Sequence, residues 1–225
     1  FGKNINSSGY DEYGRKPLNS TSIFDPVLCE IVYTWFATPP NRVLDPFAGG
    51  SVRGIVAESL GLKYFGIDLS ERQINANMEQ AIKILPKEQQ PTWYVGDSNK
   101  ILDDLDMQFD LLFTCPPYVD LEKYSDDKDD LSNMEYTGFL DVYASIIKKA
   151  CCKLIGGSFA CFVVGDVRDK NGDYYGFVPD TIKAFQSSGL KLYNEAILLN
   201  NLGTAMLRAN NCMKSKKLVK VHQNV

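Results

Sequence analysis

Arg42-Val43-Leu44-Asp45-Pro46-Phe47-Ala48-Gly49-Gly50-Ser51 decides the fold of this chain. An apolar run ends in an acid, a proline and two glycines, and Val52, Ile55, Val56 and Leu60 then recur at helical spacing. The first part reads as a buried strand over residues 42–47, and the last as one face of a helix. The glycines between them let the backbone turn tightly and approach a bound group closely. Strand, glycine turn and helix in that order open an alternating α/β domain.

Working outward, the alternation repeats. Residues 63–69 predict a second strand. Ser70-Glu71-Arg72-Gln73 then matches a capping box, and Ile74, Met78, Ala81, Ile82 and Leu85 line one side of the helix it starts. Pro86 closes that helix. Residues 92–95, 109–114 and 158–164 predict strands three to five. Before the fifth, Leu140, Tyr143, Ile147, Cys151 and Leu154 keep helical spacing, and Gly156-Gly157 ends the helix. A shorter helix covers 178–187, with Gly189 as its stop. Upstream, Ser22 or Asp25 caps a helix over 27–36, Pro26 takes its first position and Pro39-Pro40 ends it. Residues 190–199 and 218–225 are the last two strands. No helix separates them, so one is antiparallel. The expected fold is α/β, Rossmann-like and doubly wound, a mostly parallel sheet with helices on both faces and one antiparallel strand near the C-terminus. It reads as a single domain over 1–225, with an irregular lead-in over 1–21 and an insertion or long loop over 200–217.

Composition narrows the function. The chain has 225 residues, enough for one sizeable core. Hydrophobic residues make up 44% and charged ones 23%, which excludes disordered and fibrous classes. No apolar run approaches the ~20 residues of a membrane span, and the first residues show no secretory pattern. The six cysteines (Cys29, Cys115, Cys151, Cys152, Cys161, Cys212) form no C-x-x-C pair, and His222 is the single histidine. A metal site is therefore not expected. Cysteines in apolar segments suit a reducing cytoplasm. The net charge of −4 argues against a uniformly basic nucleic-acid binder. Acid gathers over 120–135, however, and base at Arg208, Lys214, Lys216, Lys217 and Lys220, and local distribution governs polyanion binding.

The ends of the predicted strands carry acids. Asp45 ends the first. Asp68, in Gly66-Ile67-Asp68, ends the second, twenty-three residues on. Asp97, in Gly96-Asp97-Ser98, ends the third. In an open α/β sheet, ligands gather at these carboxyl ends. The helix after Gly50 offers free N–H groups and a positive dipole end to a carboxylate. An acid at the place of Asp68 accepts from ribose hydroxyls, and one at Asp97 from the exocyclic amine of adenine. Each acid taken alone is equally a helix cap. Asp-Pro-Phe-x-Gly-Gly also differs from the G-x-G-x-x-G fingerprint, which lowers NAD and FAD.

Asp45–Gly50 resembles the S-adenosylmethionine (SAM) motif of DNA amino-methyltransferases, the cytosine-N4 and adenine-N6 family. Thr114-Cys115-Pro116-Pro117-Tyr118 resembles their catalytic motif: Asp, Asn or Ser, then Pro-Pro, then Tyr or Phe. The likeness covers residues 23–225. It implies SAM as cofactor, contacted by Phe24, Asp45, Pro46, Phe47, Ala48, Gly49, Gly50, Asp68, Leu69, Asp97 and Ser98. It implies Cys115, Pro116, Pro117 and Tyr118 as the catalytic set, and DNA as partner, its base flipped out or single-stranded. The setting it implies is DNA methylation of the restriction-modification kind, by a homodimer or with an added recognition subunit or domain. An exocyclic amine is a poor nucleophile, its lone pair being delocalised into the ring. In such enzymes the first side chain of the motif and the carbonyl of its first proline accept the two amine hydrogens, and two prolines fix that carbonyl in advance.

Cys115 departs from the pattern, because a thiol accepts weakly. Its shape is closest to Ser, the form typical of cytosine-N4 enzymes, so cytosine is favoured over adenine. A covalent thiolate route to carbon-5 is disfavoured, since that nucleophile follows a proline whereas Cys115 precedes two. The alternatives are SAM-dependent methylation of RNA or of a protein glutamine, and a non-catalytic methyltransferase-like binding subunit. Asp166, after Gly165, ends the fifth strand beside the expected pocket. The stretch 120–130 is a lid or a solvated surface, and His222 reads as structural.

Overall fold

The computed structural model describes residues 23–117, 134–169, 171–199, 214, 216–218 and 220–225. In chain order these form α1 (Pro26–Phe36), β1 (Arg42–Asp45), α2 (Val52–Ser59), β2 (Lys63–Asp68), α3 (Glu71–Ile84), β3 (Thr92–Val95), α4 (Ser98–Asp104), β4 (Phe109–Thr114), α5 (Tyr136–Cys152), β5 (Leu154–Phe162), α6 (Phe177–Ser187), β6 (Ile197–Leu199) and β7 (His222–Asn224). Helix starts follow local chemistry. Asp25 accepts from the Val27 N–H at 2.9 Å with Pro26 in the first turn, and the Ser70 hydroxyl accepts from the Gln73 N–H at 3.2 Å.

The first five strands pair in parallel in the order β3-β2-β1-β4-β5. The chain lays β2 and β3 on one side of β1 and then crosses to place β4 on the other. The switch point therefore falls between β1 and β4, with Val43 opposite Leu111 and Leu44 opposite Leu112. At the opposite edge, the Arg42 N–H donates to Asp110 at 2.7 Å. β6 and β7 form a separate antiparallel pair, as the lack of a helix between them implied. A bridge between Val164 and Asn224 ties that pair to the chain just past β5.

Strand alternation sends side chains to both faces. Val43, Tyr64, Leu111 and Phe113 pack under α1 and α2 with Cys29, Val32, Tyr33 and Ala57. Leu44, Ile67, Leu112 and Phe162 pack under α4, α5 and α6 with Leu102, Phe139, Tyr143 and Phe177. Both faces are covered, so strand runs such as Val43-Leu44 and Leu111-Leu112-Phe113 are continuously apolar.

Several features differ from the sequence-based expectation, among them the strand expected over 218–225, which is confined to His222–Asn224. Met78 and Ile82 are 40% and 71% exposed, because α3 buries Ile74, Asn77 and Ala81 instead. β1 stops at Asp45, so Pro46 and Phe47 belong to the turn. α5 ends at Cys152 and β5 already starts at Leu154, with Gly156-Gly157 inside it. There the ladder to β4 shifts register between Phe109 and Leu111, and Gly157 takes a φ of 86°, which a side chain would oppose. Finally, 190–199 yields only a three-residue strand: β6 has one short partner, and of its three residues only Leu198 packs against the core cluster under α1. α4 was not anticipated. Ser22, the lead-in 1–21, most of 120–135 and 200–217, Arg208 and Cys212 lie outside the described residues.

Candidate active site

Asp45 is the point from which the site is built. It ends β1 with no exposed surface, and its carboxylate accepts from four donors. These are Arg53 Nε at 2.6 Å, the Tyr64 hydroxyl at 2.6 Å, the Thr114 hydroxyl at 2.5 Å and the Phe47 N–H at 3.2 Å. A buried carboxylate is tolerated only when paired and hydrogen-bonded in this way. Burial lifts the Tyr64 hydroxyl well above its ordinary pKa, and the Asp45 charge adds to the effect, so Tyr64 stays a donor. Burial opposes the charge on Arg53, but the Asp45 carboxylate bonded to it outweighs that cost, and its pKa lies above the ordinary arginine value.

Arg53 is nearly buried in the first turn of α2 and ties the glycine loop down. Its terminal nitrogen donates to the carbonyls of Phe47 and Ala48, both at 2.8 Å. Its guanidinium lies 4.6 Å from the centre of the Phe24 ring, and Phe24 meets Phe113 edge-on at 5.9 Å. The rest of the loop is held from other strands and helices. The Ala48 N–H donates to the Ile67 carbonyl, and the Gly49 N–H donates to Asp68 Oδ2 at 2.8 Å. The Asn77 amide donates to the Gly49 carbonyl at 2.7 Å, the Ser98 hydroxyl donates to the Pro46 carbonyl at 2.5 Å, and the Ser51 hydroxyl bonds Gln80.

The loop leaves space and backbone donors open. Gly49 has a φ of 51°, and a Cβ on either Gly49 or Gly50 would meet nothing within 4 Å. No side chain caps α2 at Ser51, so N–H groups of its first turn remain for a ligand. Asp68 and Leu69 stand half-buried next to this opening. Burial raises the Asp68 pKa, while the N–H groups of Ser70 and Gly49 pull against it. Asp97 caps α4 by accepting from the Asn99 N–H at 2.8 Å, and lies 3.4 Å from Lys100.

Thr114 brings the second motif to the first. It ends β4, and its hydroxyl reaches Asp45 at the end of β1. The residues after it, half-buried Cys115, buried Pro116 and half-buried Pro117, therefore leave the sheet beside the glycine loop. Cys115 packs against the cluster under α1 and lies close enough to Arg53 to bear on its charge. Tyr118 lies outside the described residues. Burial pushes Cys29, Cys151 and Cys161 up to about 12, so none of them carries a thiolate at neutral pH. Asp166, beyond β5, pairs with Lys220.

Arg53, Tyr64, Asn77 and Thr114 had no role assigned from the sequence. Thr114 was visible only as the lead residue of the Pro-Pro motif, and Asn77 only as a polar residue in line with Ile74 and Ala81. Among the described residues, no helix is long and apolar enough to cross a membrane, and no group of His, Cys, Asp or Glu could hold a metal ion.

No protein-family model matches the chain, and no curated protein matches it in sequence. Solved structures do match in shape. TrmN from Thermus thermophilus aligns with a TM-score of 0.56 at 19% identity, over 77% of this chain and 45% of that one, so this chain spans less than half its length. Magnesium protoporphyrin IX methyltransferase (ChlM) from Synechocystis PCC 6803, with bound SAM, gives 0.54 at 16% identity over 78% and 74%. A candidate rRNA-methylase from Clostridium thermocellum gives 0.56 at 11% identity over 90% and 96%. What these likenesses carry is the architecture: the chain has the Rossmann-like methyltransferase fold.

Proposed function

We propose that this chain transfers a methyl group from SAM to the exocyclic amine of a nucleic-acid base, with cytosine N4 in DNA favoured over adenine N6. The observation that carries this reading is the Thr114–Asp45 hydrogen bond. It joins the Pro-Pro loop to the glycine loop at the switch point, where an open α/β sheet binds its ligands. Bound SAM supplies a methyl group activated by its sulfonium. The N-terminus of α2 takes the methionine carboxylate, and Asp68 has lone pairs left for ribose hydroxyls beyond its two backbone N–H bonds. Leu69, Asp97 and Ser98 border the adenine. Asp45 and Arg53 hold the loop in shape from below, and Pro46, Phe47 and Ala48 are the backbone they fix. Phe24 covers Arg53. On the acceptor side, the Pro116 carbonyl accepts a hydrogen bond from one amine hydrogen, Cys115 stands beside the other and Tyr118 stacks on the base. As the N–C bond forms the S–C bond breaks, S-adenosylhomocysteine leaves and the surplus amine proton passes to solvent. Pre-set positions of these groups replace the ordering that free reactants would need.

A second reading keeps the cofactor and moves the acceptor to RNA. It is favoured by the candidate rRNA-methylase, which aligns along 90% of this chain.

Incubation with methyl-labelled SAM and separate DNA, RNA and protein pools, followed by digestion to nucleosides or amino acids, tests both. Label in N4-methylcytosine from DNA is the expected result. Label in an RNA nucleoside moves the acceptor. Absence of SAM binding by calorimetry would sink the enzymatic reading and leave a binding subunit. Cys115→Ser is expected to keep activity, whereas a thiolate nucleophile would be lost with it.

A further inference from the structure

Beyond β5 the chain makes a tight hairpin that the proposed chemistry does not use. Arg168 and Tyr174 bridge across it, the Asp169 N–H donates to the Asp173 carbonyl, and the Gly172 N–H returns to the Asp169 carbonyl. The Arg168 guanidinium lies 3.6 Å from the centre of the Tyr174 ring and also donates to the Gly172 carbonyl at 2.7 Å. One face of Tyr174 is thus taken, yet the residue is 45% exposed, so the exposure lies on the remaining face and edge. The next residue, Tyr175, stacks on Tyr136 at 4.2 Å and 12°, which fixes the hairpin to the start of α5. Because β1, β4 and β5 run parallel, the hairpin leaves the same edge of the sheet as the glycine and Pro-Pro loops.

Beside Tyr174 a cleft of about 350 Å³ is lined by Asp166, Leu218, Lys220, Val221 and His222. Just ahead of Leu218 in sequence stand Lys214, Lys216 and Lys217, and no acid occurs between Lys214 and Lys220, in a chain whose net charge is −4. Lys220 is neutralised by Asp166. Lys217 donates to the Asn171 carbonyl at 2.9 Å across Gly172, where a Cβ would overlap it. Lys214 and Lys216 have no carboxylate partner among the described residues. The hairpin's own acids are Asp169 and Asp173, and the Asp169 carboxylate is engaged by the Asp173 N–H and the Asn171 amide.

We propose that this surface holds a single nucleic-acid strand next to the reacting base: Tyr174, backed by Arg168, stacks an unpaired base, and Lys214, Lys216 and Lys217 take the flanking phosphates. Resting on the methyltransfer reading, this adds where the acceptor strand runs. An aromatic ring braced by a cation and accompanied by lysines that carry no carboxylate partner is the pattern that grips single strands with little sequence preference. An acidic peptide would use the lysines but leave the ring without a partner.

Fluorescence anisotropy with a short labelled single strand, as DNA and as RNA of one sequence, tests this on the full chain in the presence of S-adenosylhomocysteine. Lys216→Glu with Lys217→Glu is expected to weaken binding by about 10-fold or more at low salt and to flatten the log-affinity against log-salt slope by ~1.4, or ~0.7 per phosphate lost. Tyr174→Ala is expected to cost about 5-fold or more with the slope unchanged, and Tyr174→Phe to bind as the parent does. The better binder of the two probes names the polymer. Variants that bind like the parent, or a poly-glutamate that competes as well as the oligonucleotide, would overturn the proposal. Calorimetry with S-adenosylhomocysteine separates the two readings. If cofactor binding and transfer persist while the variants bind nucleic acid normally, only the strand surface falls. If cofactor binding is absent in the parent, the methyltransfer reading falls by itself.

Discussion

The β1–β4 switch lies in the middle of the five-stranded sheet and the β6–β7 ribbon is a separate pair, and they are held by different means. At the switch, a carboxylate without exposed surface takes four donors from a turn, a helix and two other strands. In the ribbon, three residues pair with three, and Ile197 and Leu199 are 52% and 71% exposed. Interlocked buried polar groups specify one geometry and cost heavily when a member is lost. A short two-stranded pair that seats only Leu198 and the adjoining Val225 on the core is marginal and tolerant of change. The difference places rigidity under the proposed cofactor and latitude beside the proposed acceptor.

Removing the cation from the hub should break that contrast most severely. Arg53→Met leaves the Asp45 charge buried without its ion pair, and should lower the unfolding free energy by about 3–5 kcal/mol in urea titration. A loss under ~1 kcal/mol would show that the hub is not what secures the loop. Next comes Gly66→Ala, whose new Cβ would sit 2.7 Å from Tyr64 and 2.9 Å from Trp93. Crowding of this kind typically costs about 1–3 kcal/mol. It should also displace the Tyr64 hydroxyl from Asp45, so SAM affinity is expected to fall together with stability in calorimetry and melting.

A smaller effect sharpens the comparison by pH. Glu58 is 2% exposed, and burial raises its pKa above its ordinary 4.5, opposed by the Tyr64 N–H and by Lys63. A carboxyl raised in the folded state gives stability that is full below its ordinary pKa and lost as pH climbs through the raised value. Glu58→Gln stays neutral throughout. Its melting temperature should therefore match the parent in acid and exceed it modestly at neutral pH; equal curves would refute the assignment. The least change is expected at the ribbon, where Leu199→Ser should move stability by no more than about 0.5 kcal/mol. A large loss in the same melting series would mean that the ribbon is a pillar of the fold.

The strands of the main sheet were legible because each is an apolar run closed by a turn signal, and the run pattern follows from burial on both faces. The hub was not. Arg53 and Tyr64 stand 8 and 19 residues from Asp45 on other elements, and no local periodicity announces such a meeting. Glycine pairs were ambiguous for the same reason. Gly49-Gly50 opens a helix and Gly156-Gly157 lies in a strand bulge, and only the partner strands tell them apart. Asp97 shows how two readings of one residue coexist. Its carboxylate caps α4 at the edge where adenine was expected, and α4 itself was missed because its seven residues make barely two turns, with its apolar residues Ile101 and Leu102 adjacent.

Strand order also imposes a timetable on the newborn chain. β1 emerges first of the strands, but its second neighbour is made much later: Arg42 and Asp110, which bond across that seam, are 68 residues apart. Until β4 arrives, β1 has a bare side and the sheet cannot close. Loop closure over such a distance makes folding slow and leaves a sticky half-sheet to be shielded meanwhile. A ribosome pause or a truncation ahead of β4 should thus yield aggregate rather than a smaller stable domain.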